Sequence, residues 1–167
     1  MKTFFLTLLT SFVLVSCSKD DEPTPVPTPK IFAEIAMSHI KENETYMQTA
    51  SIQSSDNSGL IWQVNDVYIF KTRNGFYGKF QVIAIQIPSN YQLDIRATVY
   101  NLDGSIKIER NIVSVRGTWG LDLETMTETA DNADFIWSRP SAKVTNLYPE
   151  KSAKFVKYIF IKTLKKI

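Results

Sequence analysis

Residues 93–100 alternate without a break: Leu93, Ile95, Ala97 and Val99 are apolar, and Asp94, Arg96, Thr98 and Tyr100 stand between them. Successive side chains of an extended strand point to opposite faces, so this pattern specifies a strand with one face in a core and the other toward water. A slip of one residue would invert the two faces, which fixes the register of any partner. Asn101-Leu102-Asp103-Gly104 has the composition of a turn. Beyond it, residues 105–115 resume the alternation, with Ile106 and Ile108 set against Lys107 and Glu109. The two segments are expected to pair antiparallel.

Upstream, residues 60–71 and 76–87 are rich in β-branched and aromatic side chains. Arg73-Asn74-Gly75 separates them as a hairpin turn would, and Pro88-Ser89-Asn90 ends the second run. Further short strands are expected over 117–123, 134–138, 142–147 and 154–162. Short strands at this spacing, with few long helical patterns, indicate a mainly β fold: an antiparallel β-sandwich, with a small β-barrel as the alternative. Residues 31–42 are ambiguous. Phe32, Ala36 and Ile40 follow helical spacing while Ile31, Ala33, Ile35 and Met37 alternate, so one short N-terminal helix is compatible with the pattern.

The N-terminal thirty residues follow a different grammar. Lys2 gives a positive start and Phe4 to Val15 an apolar run broken only by Thr7, Thr10 and Ser11, which is the form of a signal peptide over residues 1–16. The run is shorter than the roughly 20 apolar residues of a membrane span. Cys17, the only cysteine of the 167 residues, follows it at once. Leu14-Val15-Ser16-Cys17 resembles the lipobox of bacterial lipoproteins, and that resemblance implies cleavage before Cys17 and lipidation of its thiol. Two or three acyl chains, each contributing about 0.8 kcal/mol per buried methylene, hold a protein on a bilayer where one chain does not.

Ser18-Lys19-Asp20-Asp21-Glu22 resembles the surface-export signal of Bacteroidota lipoproteins. It implies an outer-membrane location, with exposure at the cell surface as its stronger form. Four of the seven prolines then fall within Pro23-Thr24-Pro25-Val26-Pro27-Thr28-Pro29. A segment of this composition is extended at about 3.1 Å per residue, making a spacer of roughly 20 Å. Residues 17–30 are therefore read as anchor and linker, and 31–167 as a single β-rich domain, long enough to bury one core without disulfides or metal. Asp66-Val67-Tyr68, Tyr77-Gly78-Lys79-Phe80 and Ala133-Asp134-Phe135-Ile136-Trp137 resemble segments of uncharacterised β-rich bacterial lipoproteins, which implies no activity.

The chemistry-bearing residues are sparse. His39 is the only histidine, with no serine in a nucleophile-elbow motif to accompany it, so a hydrolytic triad is not indicated. The His and Cys spacing of a zinc site and a Gly-rich phosphate loop are both missing. A net charge of +2 gives no footprint for nucleic acid.

Five acids, Asp122, Glu124, Glu128, Asp131 and Asp134, lie between Arg116 and Arg139 with no basic residue among them. Asp122, Glu124, Asp131 and Asp134 are weak metal candidates, because their spacing does not match a calcium loop. Eight Lys or Arg against Glu150 follow from Arg139 onward, so the acidic loop is expected to lie near the basic last strands. All three tryptophans and all seven tyrosines lie in the domain. Trp62, Trp119 and Trp137 are expected mostly in the core; exposed together with Tyr77 or Tyr148 they would form a ligand-binding platform for sugar faces. The expectation is a non-enzymatic, cofactor-free binding or assembly domain, held to a membrane through Cys17, with polysaccharide or another envelope protein as partner; a surface glycan-binding accessory is the alternative, and a carboxylate-dependent hydrolase, which needs only two acids about 5 to 10 Å apart, stands behind both.

Overall fold

A computed structural model describes residues 31–54, 62–86, 89–141 and 144–158. The chain opens with two short helices, α1 (Ile31–Glu34) and α2 (Met37–Glu42), and a 3-10 turn at Glu44–Tyr46. Ten strands follow: β1 (Ile52–Ser54), β2 (Val67–Lys71), β3 (Tyr77–Gln86), β4 (Gln92–Tyr100), β5 (Ile106–Val115), β6 (Trp119–Asp122), β7 (Thr127–Thr129), β8 (Phe135–Ser141), β9 (Val144–Pro149) and β10 (Lys154–Lys157).

The strands form two five-stranded sheets, in the orders β10-β2-β3-β4-β5 and β1-β9-β8-β6-β7, with antiparallel pairing throughout. Each ends in edge strands instead of closing on itself, so the molecule is a β-sandwich and not a barrel. The first strand pairs with β9 in one sheet while the last pairs with β2 in the other. Entry and exit of the chain are thereby stitched into opposite layers.

The expected hairpins form where turn chemistry permits them. At the β2–β3 turn the Gly75 N–H donates to Thr72 O, and Gly75 itself sits at φ +92°, a conformation open to glycine at no steric cost. Gly104 serves the β4–β5 turn at the same φ. Two strands had no signal in the alternation: β1, and β7 within the acidic segment. Conversely, residues 62–66 form a bend and a turn before β2, so that strand is shorter than the 60–71 run. The expectations that fall on residues 1–30, 60–61, 87–88, 142–143 and 159–162 lie outside the described residues.

One core lies between the sheets. Tyr68, Phe70, Phe80, Leu93, Ile95 and Phe155 from one sheet meet Leu121, Phe135, Trp137 and Leu147 from the other. Phe80 and Phe135 stack across the layers at 6.1 Å, and Phe135 meets Phe155 edge-on at 5.7 Å, both within the range where aromatic pairs add to simple burial. Gly78 is required here: a Cβ on it would come within 2.2 Å of Phe70 Cζ and 2.7 Å of Thr98 O. The phenyl ring of Phe70 occupies the space that a side chain at 78 would need.

The ambiguous segment 31–42 is helical, and it changes the character of β4. Leu93, Ile95, Ala97 and Val99 face the core as the alternation requires. The opposite face, expected to be wet, is covered: Thr98 and Tyr100 are buried, as is Asp94 near the other end of the strand. Over the Tyr100 end of this face, Phe32, Ile35, Met37 and Ile40 from the helices pack with Val67, Ile69, Tyr77 and Tyr100 in a second hydrophobic cluster. The helices are too short to persist alone, and burial against the sheet holds them. No helix among the described residues is long and apolar enough to cross a membrane.

Candidate functional site

The aromatic platform is not assembled. Trp62 and Trp137 are core residues in edge contact at 5.2 Å, and Trp62 stacks on Tyr68 at 4.6 Å. The Trp137 indole N–H donates to Tyr91 O at 2.7 Å. Tyr77 is buried beneath α2; its hydroxyl donates to Glu44, which also accepts from Lys71 Nζ at 2.7 Å. Burial first, and the bond to Glu44 second, push the Tyr77 hydroxyl pKa up, while the hydrogen bonds from Lys71 and Tyr77 hold the Glu44 carboxyl below its ordinary value. Tyr148 is half-buried on β9 and accepts from Asn146. Trp119 alone of the three tryptophans is exposed, at 36%, with the Arg116 guanidinium 4.2 Å from its ring centroid.

The acidic segment is tied down by cations that do not come from the last strands. Asp134 is fully buried; one carboxylate oxygen accepts the Arg73 backbone N–H at 2.8 Å and the other the Leu123 N–H at 2.9 Å. The Arg73 guanidinium lies 3.3 Å from Asp134 and 3.2 Å from Asp122, so the β2–β3 turn of one sheet is clamped to the β6–β7 region of the other. Burial outweighs these donors and holds the Asp134 carboxyl above its usual range.

Glu124 meets Lys107 at 3.7 Å and Glu128 meets Arg116 at 2.9 Å. Asp131 is exposed, bonded through its backbone to Thr129. No group of three or more acids, His or Cys that could hold a metal ion occurs among the described residues. The chain between β9 and β10 does lie against this segment, with the Glu150 N–H on Asp134 O, as expected, but the ion pairs come from Arg73, Lys107 and Arg116. Of the later lysines, Lys151 bonds Asn132 at the end of the loop, and Lys157 pairs with Asp66 at 2.6 Å. His39 is exposed on α2. Cys17 lies outside the described residues.

A site that the sequence reading did not single out sits on the helix-covered face of β3 and β4. Lys79 and Thr98 are directly paired across these strands, and so are Gln81 and Arg96. Side chains paired in this way share a face, so two cations meet under α1. Lys79 is 5% exposed and its ammonium donates to Phe32 O at 2.6 Å and Ile35 O at 2.7 Å, satisfying carbonyls at the end of α1. The Arg96 guanidinium lies 4.2 Å from the Phe32 ring centroid and donates through Nη2 to Gln81 Oε1 at 2.6 Å.

Phe32, Lys79, Arg96, Thr98, Tyr100 and Glu109 line part of a recess of about 290 Å³. The Arg96 Nε–H and the Thr98 hydroxyl are sealed from solvent and have no hydrogen-bond partner among the described residues. Burial lowers the Lys79 pKa; Glu109 acts against that and Arg96 with it. A larger recess of about 450 Å³ lies beside Arg73 and Lys151, but there Arg73 is already engaged by Asp122 and Asp134. In the sequence Lys79 and Arg96 stand at mid-strand positions, and Arg96 belongs to the polar half of an alternating run. That half read as a solvated face because the helical covering was undecided.

Neither a family model, nor a curated protein, nor a solved structure matches the chain.

Proposed function

We propose that this protein is a lipid-anchored component of the bacterial cell envelope whose β-sandwich is a non-catalytic binding or assembly module. The observation that carries the proposal is the continuous segment from Lys2 through the apolar run to Leu14-Val15-Ser16-Cys17, followed by the charged and proline-rich residues 18–29. The sole thiol is placed where a lipid would consume it, and the spacer leads directly to the start of α1 at Ile31. The localisation that follows is the outer membrane, with the domain held off the lipid surface.

The non-catalytic part is supported by how the buried and half-buried ionisable groups are used. Asp134 is engaged by Arg73 and Leu123, Lys157 by Asp66, and Glu44 by Lys71 and Tyr77. Groups committed to one another in this way position strands instead of presenting a free acid and base to a substrate. A second reading, a glycan-binding accessory, retains Trp119 from the aromatic set, since Trp62 and Trp137 fill the core.

Inhibition of the lipoprotein signal peptidase with globomycin tests the anchor. The expected result is accumulation of a precursor larger by residues 1–16, and loss of membrane attachment on Cys17→Ser substitution. Processing that is indifferent to the inhibitor, or a Cys17→Ser chain that fractionates with membranes as the wild type does, contradicts the proposal.

A further inference from the structure

We propose that the recess beside Trp119 on β6 is a monosaccharide-binding site, and that a neutral N-acetylated hexose is the ligand chemistry it fits. The proposal rests on the glycan-binding reading of the domain and is independent of the anchor.

Trp119, the exposed tryptophan, is held as a rigid wall. The Arg116 guanidinium lies 4.2 Å from its ring centroid, and Glu128 fixes that guanidinium by accepting from Nε at 2.9 Å and from the Arg116 backbone N–H. An exposed ring that is already immobilised loses little conformational freedom when a ligand stacks on it.

The turn that presents the ring is strained. The Trp119 N–H donates to Arg116 O at 3.2 Å, closing a four-residue turn whose third position is Thr118 at φ +70°. That conformation suits glycine, and a β-branched residue adopts it only under strain. The glycine stands one place earlier, because a Cβ at Gly117 would come within 2.4 Å of Asn90 O. Thr118 therefore takes the strained position, and its side chain lines the recess. Strain concentrates where a side chain serves binding at a cost to stability.

The recess holds about 240 Å³ between Thr118, Trp119, Gly120, Thr129, Ala130 and Ile136. Gly120 stands in register between Thr129 on β7 and Ile136 on β8, and a Cβ on it would lie 2.6 Å from Ala133 Cβ. The bare glycine is what lets residues 130–133 fold over β6. Among the described residues no charged side chain lines the recess, so the complementary ligand is neutral.

Trp119 offers an aromatic surface to the C–H face of a sugar ring. Ala130, Ile136 and the threonine methyls offer an apolar wall to a methyl group. The Thr129 hydroxyl is engaged by the Asp131 backbone, which leaves the Thr118 hydroxyl to meet a ring hydroxyl. A hexose with an acetamido arm supplies all three partners, whereas glucose lacks the methyl. Pockets for drug-sized ligands begin near 300 Å³, so this recess takes one sugar unit.

Isothermal titration of the full chain in micelles of lauryldimethylamine oxide, a detergent without sugar, tests the assignment with N-acetyl-D-glucosamine and D-glucose. N-acetylglucosamine is expected to bind and glucose to bind at least several-fold more weakly. Trp119→Ala is expected to weaken N-acetylglucosamine binding about tenfold, equivalent to about 1.4 kcal/mol. Thr118→Gly relieves the left-handed strain, so it should unfold at the same temperature as the wild type or higher and still bind several-fold more weakly. Absence of N-acetylglucosamine binding, equal affinity for glucose, or binding unchanged in both folded variants would each overturn the proposal. Equal affinity for the two sugars would leave the glycan-binding reading standing, and none of these results bears on processing at Cys17, so the failures are distinguishable.

Discussion

Asp134 shows how one residue can join two sheets and carry a pH dependence with a definite sign. Its carboxylate accepts from Arg73 and Leu123 and pairs with the Arg73 guanidinium, linking the β2–β3 turn to the end of β6. Asp134→Asn keeps one acceptor but sets an amide NH2 against the other backbone N–H, leaving a buried donor unpaired, and a loss of about 1–3 kcal/mol is expected in urea unfolding. Because burial raises the folded-state pKa above the ordinary 3.8, the folded chain holds the proton more tightly than the unfolded one. The stability contributed at this site therefore rises as pH falls through the window between the two values. The gap between wild type and Asp134→Asn should widen from neutral pH toward that window; a gap that narrows would mean the carboxylate is the favoured buried form. Glu44 has the opposite sign, since its pKa is lowered by Lys71 and Tyr77: its contribution is present above 4.5 and is lost as pH falls through its folded value. Gly78 is another position with no room for a side chain. Gly78→Ala forces Phe70 or the β4 backbone to move and should cost about 1–3 kcal/mol, measured by thermal unfolding.

At the scale of elements, α1 and α2 depend on the sheet beneath them, and Lys79 is the tie. Lys79→Met removes both bonds to the α1 carbonyls, and amide exchange over residues 32–40 should accelerate while Phe135 and Trp137 on β8 remain protected. Equal acceleration in β8 would show that the helices and the sandwich unfold as one unit. The strands were legible because alternation is a local signal: 93–100 and 105–115 form β4 and β5 in antiparallel register, and the Arg73-Asn74-Gly75 turn lies where its composition puts it. The covering helices were not legible, because residues 31–42 satisfy both periods and only contact with the far face of β3 and β4 decides between them. That contact is also what converts Arg96 and Thr98 from a wet face into the wall of a recess. The aromatic candidates misled for a related reason. Composition says how many rings a chain has, and only the packing of two sheets says that Trp62 and Trp137 are interior while Trp119 is not.

For the whole molecule, chain order ties the two sheets together: β1 lies beside β9 in one layer, and β10 lies beside β2 in the other. A domain built this way needs no disulfide to hold its ends, which agrees with a sequence whose single cysteine is at position 17. In the proposed function the anchor and the sandwich divide the work, one fixing location and the other presenting a surface. The sharpest test of that division is the mass of the N-terminal peptide of the mature protein isolated from membranes. The account predicts a chain that begins at Cys17 with diacylglyceryl and acyl groups on it; a chain that keeps Met1, or begins at an unmodified Cys17, would contradict it.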